Sequence, residues 1–268
     1  MAFRSLLARR SAALGAGCAA AVTASGTLAY CSGSRVTGEK TVGSTKFLQL
    51  ISIDYLDDKG VARKWEKVER AGKPSVVSVL PIISSKSFKP GEEETLLTCQ
   101  FRPPHNAYCL ELPAAIVTEG ETLEACARRC ILNETGYEAT VRLKSKPLTS
   151  SAGLTSEQVS LVIVDINLDD YTEERETQRT VGRRRRKLKK TIKEQGESWV
   201  PDQSLEDDQT IKIQKIKLKD LQKELHAAEA EGVVVSYGLQ GVATGMSLGA
   251  VIPPSNAPPP PPAKKGWF

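Results

Sequence analysis

The chain is poor in the side chains that build most metal and redox sites. Its 268 residues include two histidines and six cysteines. No two cysteines are separated by two residues, the spacing that a zinc ribbon or a thioredoxin-type dithiol requires. A histidine-based metal site, a zinc ribbon and a dithiol oxidoreductase are therefore not expected. An even cysteine count does not imply disulfides in a chain this long, and we interpret the cysteines as reduced thiols.

Extremes of charge and hydropathy are also missing. Hydrophobic residues make up 40% and charged residues 26% of the chain, with a net charge of +5. This balance excludes disorder along the whole chain and fibrous architectures. The length predicts one or two domains.

Residues 1–40 have the composition of a leader. They are rich in serine and arginine, and Glu39 is their only acid, as in mitochondrial presequences. No charge occurs within residues 11–32, about the 20 residues that a membrane span needs, although large aliphatic side chains are few. We therefore expect a mitochondrial protein, with three alternatives for this end: a cleaved or retained leader, a single anchor through residues 11–32 in the inner membrane, or a secretory or unstructured end.

The C-terminal residues 251–268 form a proline-rich tail. Pro258–Pro262 is unbroken, which excludes a helix interior or a central strand and favours polyproline II. The tail is either solvated or a docking peptide anchored by Trp267 and Phe268.

A third irregular stretch, about residues 169–209, begins acidic and becomes basic at residues 183–190. The basic run suits nucleic acid, phosphate or anionic lipid. No aromatic residue is interleaved with it for base stacking, so we favour a charged surface loop and expect no nucleic-acid partner.

The middle of the chain predicts many strands and few helices, hence an α+β fold with a mixed sheet. The best helix signal runs from Thr122, a suitable N-cap, to Thr135, with Gly136 as the stop. Further helices are expected near residues 218–230 and 234–248. Apolar or alternating runs predict strands at residues 47–53, 63–68, 76–83, 96–101, 108–112 and 160–166.

Residues 115–137 resemble the signature of the Nudix hydrolases, G-x5-E-x7-R-E-U-x-E-E-x-G-U, where U is bulky and apolar. The spacing is intact, but Ala115, Cys130 and Asn133 replace the first Gly, the Glu after Arg and the first Glu of the final pair. The matching positions are Glu121, Arg129, Ile131, Glu134, Gly136 and Tyr137.

The resemblance extends to the ADP-ribose and nucleoside-diphosphate-sugar pyrophosphatase branch. Residues 100–104 read Gln-Phe-Arg-Pro-Pro, residues 108–114 read Tyr-Cys-Leu-Glu-Leu-Pro-Ala, and residues 63–70 contain Trp65 and Glu66. Residues 211–224 are also similar to that branch. The resemblance implies a Nudix domain over residues 45–250, with a mixed sheet between helices.

The resemblance implies attack of water on a diphosphate, assisted by Mg²⁺ or Mn²⁺, with carboxylates converging on one helix face. Positions 130, 133 and 134 share that face, and here only Glu134 carries a carboxylate. Thiols and amides are poor substitutes because Mg²⁺ prefers hard, charged oxygen ligands. The remaining catalytic candidates are Glu134 and Glu121, and the metal candidates are Glu134 and the Ala114 carbonyl; Asp207 or Asp208 could supply the acid of a late loop.

The features implied for binding and for shape are better kept. The resemblance assigns Arg129 and Gly136 to the shape of this signature segment, residues 115–137, which we call the box. It assigns substrate contacts to five residues. Trp65 would stack on adenine, and Arg70 and Arg102 would bind phosphates; the other two are Glu66 and Phe47. The ordinary structural alternatives remain open, and we interpret Cys126 and Cys130 as small buried hydrophobes.

Three functions follow from this pattern. We favour a catalytically impaired Nudix-fold protein that acts as a structural or binding subunit of a larger mitochondrial assembly and needs no cofactor. The alternatives are an active Mg²⁺- or Mn²⁺-dependent ADP-ribose or ADP-sugar pyrophosphatase, and a sensor that binds ADP-ribose without cleaving it.

Overall fold

The computed structural model describes residues 33–173, 190–195, 198–205 and 210–251. They divide into two compact units. The first contains residues 33–74 and 149–158, and the second contains the rest. Predictions that fall on the leader before residue 33, the run 183–189, residues 207 and 208, and the tail from residue 252 lie outside the described residues. Within the described part, no helix is both long and apolar enough to cross a membrane.

The first unit is built on a three-stranded antiparallel sheet, with β1 (Arg35–Ser44), β2 (Leu48–Leu56) and β3 (Ala62–Arg70) in that order. A turn before Gly60 joins β2 to β3, and the Asp57 side chain accepts hydrogen bonds from the amides of Lys59 and Val61, both at 2.9 Å. β1 is a correction. Residues 35–40 belong to this sheet and not to the predicted leader.

The second unit contains a nine-stranded mixed sheet. Its main path runs β15-β6-β5-β4-β10-β8; β14 pairs with β5, β7 with β4, and β9 with β10. The strands are β4 (Val76–Ser84), β5 (Glu94–Arg102), β6 (Ala107–Glu111), β7 (Ala114–Ile116), β8 (Thr140–Lys144), β9 (Leu148–Thr149), β10 (Gln158–Asn167), β14 (Lys212–Lys217) and β15 (Val234–Val235).

Helices cover both faces of this sheet. Helix α1 (Leu123–Thr135) packs on one face, where Ile131 joins Val79 and Val164 in a buried cluster. Helices α2 (Leu221–Ala230) and α3 (Tyr237–Val251) pack on the other through a second cluster, which contains Leu80, Leu97, Leu110, Leu112, Leu221, Leu225, Leu239 and Ala243. Strands alternate their side chains between the two faces, so β5 contributes Leu96 to the first cluster and Leu97 to the second. The predicted sheet between helices is confirmed.

The stretch predicted as a charged surface loop contains regular structure at both ends. β11 (Tyr171–Glu173) pairs in parallel with β12 (Lys190–Gln195), which pairs antiparallel with β13 (Ser198–Val200). This is a second correction, since the sequence predicted no strand there.

Candidate functional site

The segment between β7 and the end of α1 has a locally determined shape. Thr122 caps the helix by accepting a hydrogen bond from the Ala125 amide at 3.2 Å, as predicted. At the other end Gly136 adopts φ 72°. A Cβ built there would stand 2.5 Å from the carbonyl oxygen of Asp202. Glycine is therefore required at this position both by the backbone conformation and by the close approach of the chain at Asp202.

That approaching segment is bonded to the last turn of α1. The Ser204 amide donates to the carbonyl oxygen of Asn133 at 2.8 Å. The side-chain amide of Gln203 donates to the carbonyl oxygen of Glu134, and to that of Ile211 at 3.2 Å. These contacts satisfy helix carbonyls that have no partner within the helix, and they fix residues 201–204 beside the candidate face.

Arg129 and Glu121 hold the loop before the helix. The Arg129 guanidinium donates to both carboxylate oxygens of Glu121, each at 2.8 Å, and to the carbonyl oxygen of Ile116 at 2.9 Å. Thr118 adds its amide at 3.1 Å and its hydroxyl at 2.9 Å to one of those oxygens. The hydrogen bonds from Arg129 lower the pKa of Glu121 to about 2. Glu121 is thus ionised at neutral pH, and both of its carboxylate oxygens accept hydrogen bonds that fix the loop.

The helix face that carries acids in the resembled family is largely apolar here. Cys130 is 2% exposed and belongs to the core cluster beneath α1, and Cys126 is fully buried. Burial raises the pKa of the Cys126 thiol to about 11 and that of Cys130 well above its ordinary value. Both cysteines are free thiols. The interpretation of the two as small buried hydrophobes is confirmed.

Glu134 is the remaining carboxylate of that face, and it is poorly solvated. Its Oε2 atom is buried and has no hydrogen-bond partner among the described residues. Burial raises the pKa of Glu134 to about 7, although a hydrogen bond from the Ala114 backbone and the charge of Arg102 act in the opposite direction. The Glu111 carboxylate adds a further upward contribution to this pKa. Near neutral pH, Glu134 is therefore partly protonated.

Arg102 is held in place by residues of its own hairpin. Its guanidinium donates to Glu111 from Nη2 at 2.6 Å and from Nε at 3.1 and 3.2 Å. Gln100 donates to the same carboxylate at 3.3 Å. Glu111 was not singled out from the sequence. Its signal was the antiparallel hairpin itself, which places Arg102 and Glu111 on the same face of adjacent strands.

Mg²⁺ or Mn²⁺ is the metal that the resemblance implies, and the donors present do not fit it. The face offers a buried thiol, a neutral amide and a single carboxyl group. Mg²⁺ needs several hard oxygen donors in octahedral geometry. No three His, Cys, Asp or Glu side chains in the described part of the chain converge as a metal site would require.

The other predicted substrate residues lie in the first unit. Trp65 is 50% exposed, and its indole Nε1 donates to the carbonyl oxygen of Gly153 at 3.0 Å. Arg70 donates to Glu157 at 2.5 Å, so its guanidinium already has an acidic partner. Glu66 is exposed, and Phe47 is 65% exposed with the Lys46 ammonium 4.9 Å from its ring centre.

Trp65 also borders a groove in the first unit. The groove has a volume of about 400 Å³, and its lining consists of Ser34, Arg35, Val36, Ile53, Tyr55 and Trp65. It combines two aromatic rings with one guanidinium. The sequence did not predict this groove, because Arg35 and Val36 belong to the strand that was missed.

Comparison with known proteins gives consistent matches. The family model described as NUDIX domain matches residues 74–205, which include the whole box. An uncharacterized Nudix hydrolase of Schizosaccharomyces pombe is 29% identical over 208 residues, covering 76% of this chain and 87% of that protein.

Two relatives have named activities. The ADP-sugar pyrophosphatase of Mus musculus is 37% identical over 139 residues, which cover 50% of this chain and 62% of that protein. The ADP-ribose pyrophosphatase of Saccharomyces cerevisiae is 26% identical over 211 residues, covering 77% of this chain and 80% of that protein.

Proposed function

Because residues 74–205 form a Nudix domain related to the ADP-ribose and ADP-sugar pyrophosphatases, we propose that this chain is an impaired member of that group. It acts as a binding or structural subunit of a larger mitochondrial assembly. Its box keeps the residues that shape the loop and lacks most of those that would bring a metal to a diphosphate.

One observation carries the loss of hydrolysis. On the face where carboxylates should converge, Cys130 lies in the core, and Glu134 is the one carboxylate, with an Oε2 atom that is buried and has no partner among the described residues. A site for a hard divalent cation needs several converging carboxylates, because charge count sets its affinity. Of the three positions on this face, only Glu134 carries a carboxylate.

What the residues retain is the capacity to bind. The Arg129–Glu121 pair fixes the loop, and Glu111 fixes Arg102 in one orientation. A held guanidinium is suited to a phosphate or a carboxylate. The leader composition supports a mitochondrial location, and a partner protein is the expected ligand of the whole chain.

The test is an assay of the purified full chain with ADP-ribose and either Mg²⁺ or Mn²⁺. We expect no AMP release above the background without enzyme. Turnover that disappears in Glu134→Gln would instead identify an active pyrophosphatase. Migration of the native protein with a large mitochondrial complex supports the subunit role, whereas a free monomer or dimer contradicts it.

A matched variant tests the chemical reason. Cys130→Glu combined with Asn133→Glu restores two acids, and we expect Mg²⁺ to raise the Tm of this double variant and not that of the wild type. Bound metal stabilises the state that holds it. If Mg²⁺ stabilises neither protein, the pocket differs from a metal site beyond these two positions.

A second candidate, binding of ADP-ribose without cleavage, is favoured by the groove of about 400 Å³ beside Trp65. The bond from its indole to Gly153 orients the ring in advance, and an exposed indole can stack on a base. Metal-independent binding of ADP-ribose that weakens about tenfold or more in Trp65→Ala, a loss of about 1.4 kcal/mol, supports it. Tyr237→Ala, which removes an aromatic ring that is 89% exposed, is the control and should leave binding unchanged.

A further inference from the structure

Two aromatic side chains at the end of the β5–β6 hairpin form an exposed notch. Phe101 and Tyr108 pair across the two strands, with ring centres 5.8 Å apart and planes inclined at 74°. They are 47% and 52% exposed. Each has an apolar ring open to solvent, and Tyr108 adds a hydroxyl.

The notch continues the sheet face that α2 and α3 cover. Alternation along β5 places Leu97, Cys99 and Phe101 on one face, and cross-strand pairing places Leu110 and Tyr108 on the same face. Leu97 and Leu110 are buried beneath the two helices. The described helices therefore do not reach the two aromatic rings, and this face of the sheet is exposed to solvent at Phe101 and Tyr108.

A pair of inclined aromatic rings is suited to a polyproline ligand. Polyproline II is already extended, loses little entropy on binding and docks in grooves lined by aromatic side chains. Its carbonyl oxygens have no internal partner, so the Tyr108 hydroxyl can donate to one. A globular apolar partner would instead need a broad surface, and Phe101 and Tyr108 make a narrow one.

The chain carries such a ligand within reach. Helix α3 ends at Val251, and the run Pro258–Pro262 begins a few residues later. At about 3.1 Å per residue, that run can lie roughly 20–35 Å along the chain from the end of α3.

Helix α3, after which the tail follows, begins near the notch. The amide of Ser236, just before α3, donates to the carbonyl oxygen of Leu110 at 3.0 Å, two residues from Tyr108. Helix α3 has 15 residues, about 22 Å at 1.5 Å per residue. The end of α3 therefore lies within about 30 Å of Tyr108, which the proline run can span.

We propose that residues 252–268 of this chain dock intramolecularly on the Phe101–Tyr108 notch, with prolines of Pro258–Pro262 packed against the solvent-exposed surfaces of the two contacting rings. Trp267 and Phe268 supply further apolar contact beyond the run. This interaction does not depend on whether the Nudix site hydrolyses, binds or does neither.

The expected occupancy follows from the short connection. A flexible link of this kind gives an effective concentration of about 1 mM. A tail that binds with a Kd of about 0.3 mM is then docked roughly three quarters of the time. A protease that cleaves only the undocked tail would therefore cleave it about fourfold more slowly.

The test measures trypsin cleavage after Lys264 and Lys265 in the full chain, followed by mass spectrometry of the released C-terminal tripeptide. Phe101→Ala with Tyr108→Ala should accelerate this cleavage about fourfold. Replacing Pro258–Pro262 by alanines should do the same without touching the fold, and combining both sets should give no further increase. Phe47→Ala, an exposed aromatic of the other unit, should change nothing. Equal cleavage rates in all variants overturn the proposal.

A second measurement identifies the occupant. Photoreactive benzoylphenylalanine in place of Trp267 should crosslink within one chain to the peptide that contains Phe101 and Tyr108. A crosslink that forms only between two copies, or to another surface, overturns the proposal even if cleavage rates differ. A Tyr108→Phe variant that retains about half of the protection indicates that the hydroxyl contributes alongside the ring.

Discussion

Replacing Glu134 by glutamine should make the protein more stable at neutral and alkaline pH. The residue has a buried carboxylate oxygen without a hydrogen-bond partner among the described residues, and burial raises its pKa to about 7. Glutamine has the same shape and carries no charge. Because the variant removes the cost of a poorly solvated charge, its effect has the opposite sign to most substitutions in a candidate active site.

The magnitude follows from the two states of the acid. Unfolded, the carboxyl has the ordinary pKa of 4.5, against about 7 when folded. The folded protein then binds more protons between these two values, so the stability of the wild type falls as the pH rises through this window and stays reduced above it. Each pKa unit corresponds to about 1.4 kcal/mol, which sets an upper limit of about 3 kcal/mol. The hydrogen bond from the Ala114 backbone becomes weaker when its acceptor is the neutral glutamine oxygen, and the new amide group must be accommodated where Oε2 had no partner among the described residues. These effects offset about 1 kcal/mol, so we expect a gain of about 1–2 kcal/mol above pH 7.

The assay is urea unfolding of wild type and Glu134→Gln at pH 4.5 and pH 8, with and without Mg²⁺. The two proteins should be nearly equal at pH 4.5, and the variant should be more stable at pH 8. The control is Glu124→Gln on the same helix, where the ion pair with Lys144 lowers the pKa of Glu124; this variant should gain nothing at pH 8. A wild type that is more stable than Glu134→Gln at pH 8 in Mg²⁺ would refute the reasoning, because it would show a carboxylate that holds metal.

Two further predictions concern the frame of the box. Glu121→Gln should cost about 1–2 kcal/mol at pH 7, since Arg129 lowers the pKa of Glu121 to about 2; the stability that this pair contributes is present above pH 4.5 and is lost as the pH falls toward 2, so the difference in urea unfolding should vanish in acid. Gly136→Ala should cost about 2–4 kcal/mol in the same assay because its Cβ would meet the Asp202 carbonyl oxygen at 2.5 Å. Gly120→Ala, with φ 77° and nothing within 4 Å, should cost only about 1 kcal/mol; equal losses at the two glycines would contradict the packing argument.

The sequence predicted those elements whose signals are local. The cap at Thr122 and the stop at Gly136 lie directly at the two ends of α1, and the structure confirms both. β1 was missed because almost all of its residues are exposed and two of them, Gly38 and Gly43, are glycines. Its sequence therefore shows neither a hydrophobic run nor the alternation of apolar and polar residues that predicts a strand. Its strand character comes from pairing with β2, which a single segment does not reveal.

The sequence predicted which residues form the candidate site better than it predicted how they are arranged. The resemblance assigned Arg129 to the shape of the box, and in the structure Arg129 pairs with Glu121. The hold of Glu111 on Arg102 depends on the register of two strands. The collision that demands Gly136 depends on Asp202, which is far away in the chain. The raised pKa of Glu134 likewise depends on burial by the folded protein, which composition and spacing do not report.

These observations connect the altered box to stability. Three carboxylates on one helix face repel one another and lose solvation unless a cation is bound, so a metal site without its metal costs folding free energy. Cys130 removes one of these charges and adds a small apolar group to a packed core, where it is 2% exposed. Asn133 removes a second charge, while the bond from the Ser204 amide that holds the neighbouring segment goes to the backbone carbonyl oxygen of residue 133 and does not depend on its side chain. Compared with the family signature, Cys130 and Asn133 therefore lower the charge of this face while the Arg129–Glu121 frame is kept, and the cost of burying a carboxylate is concentrated on Glu134.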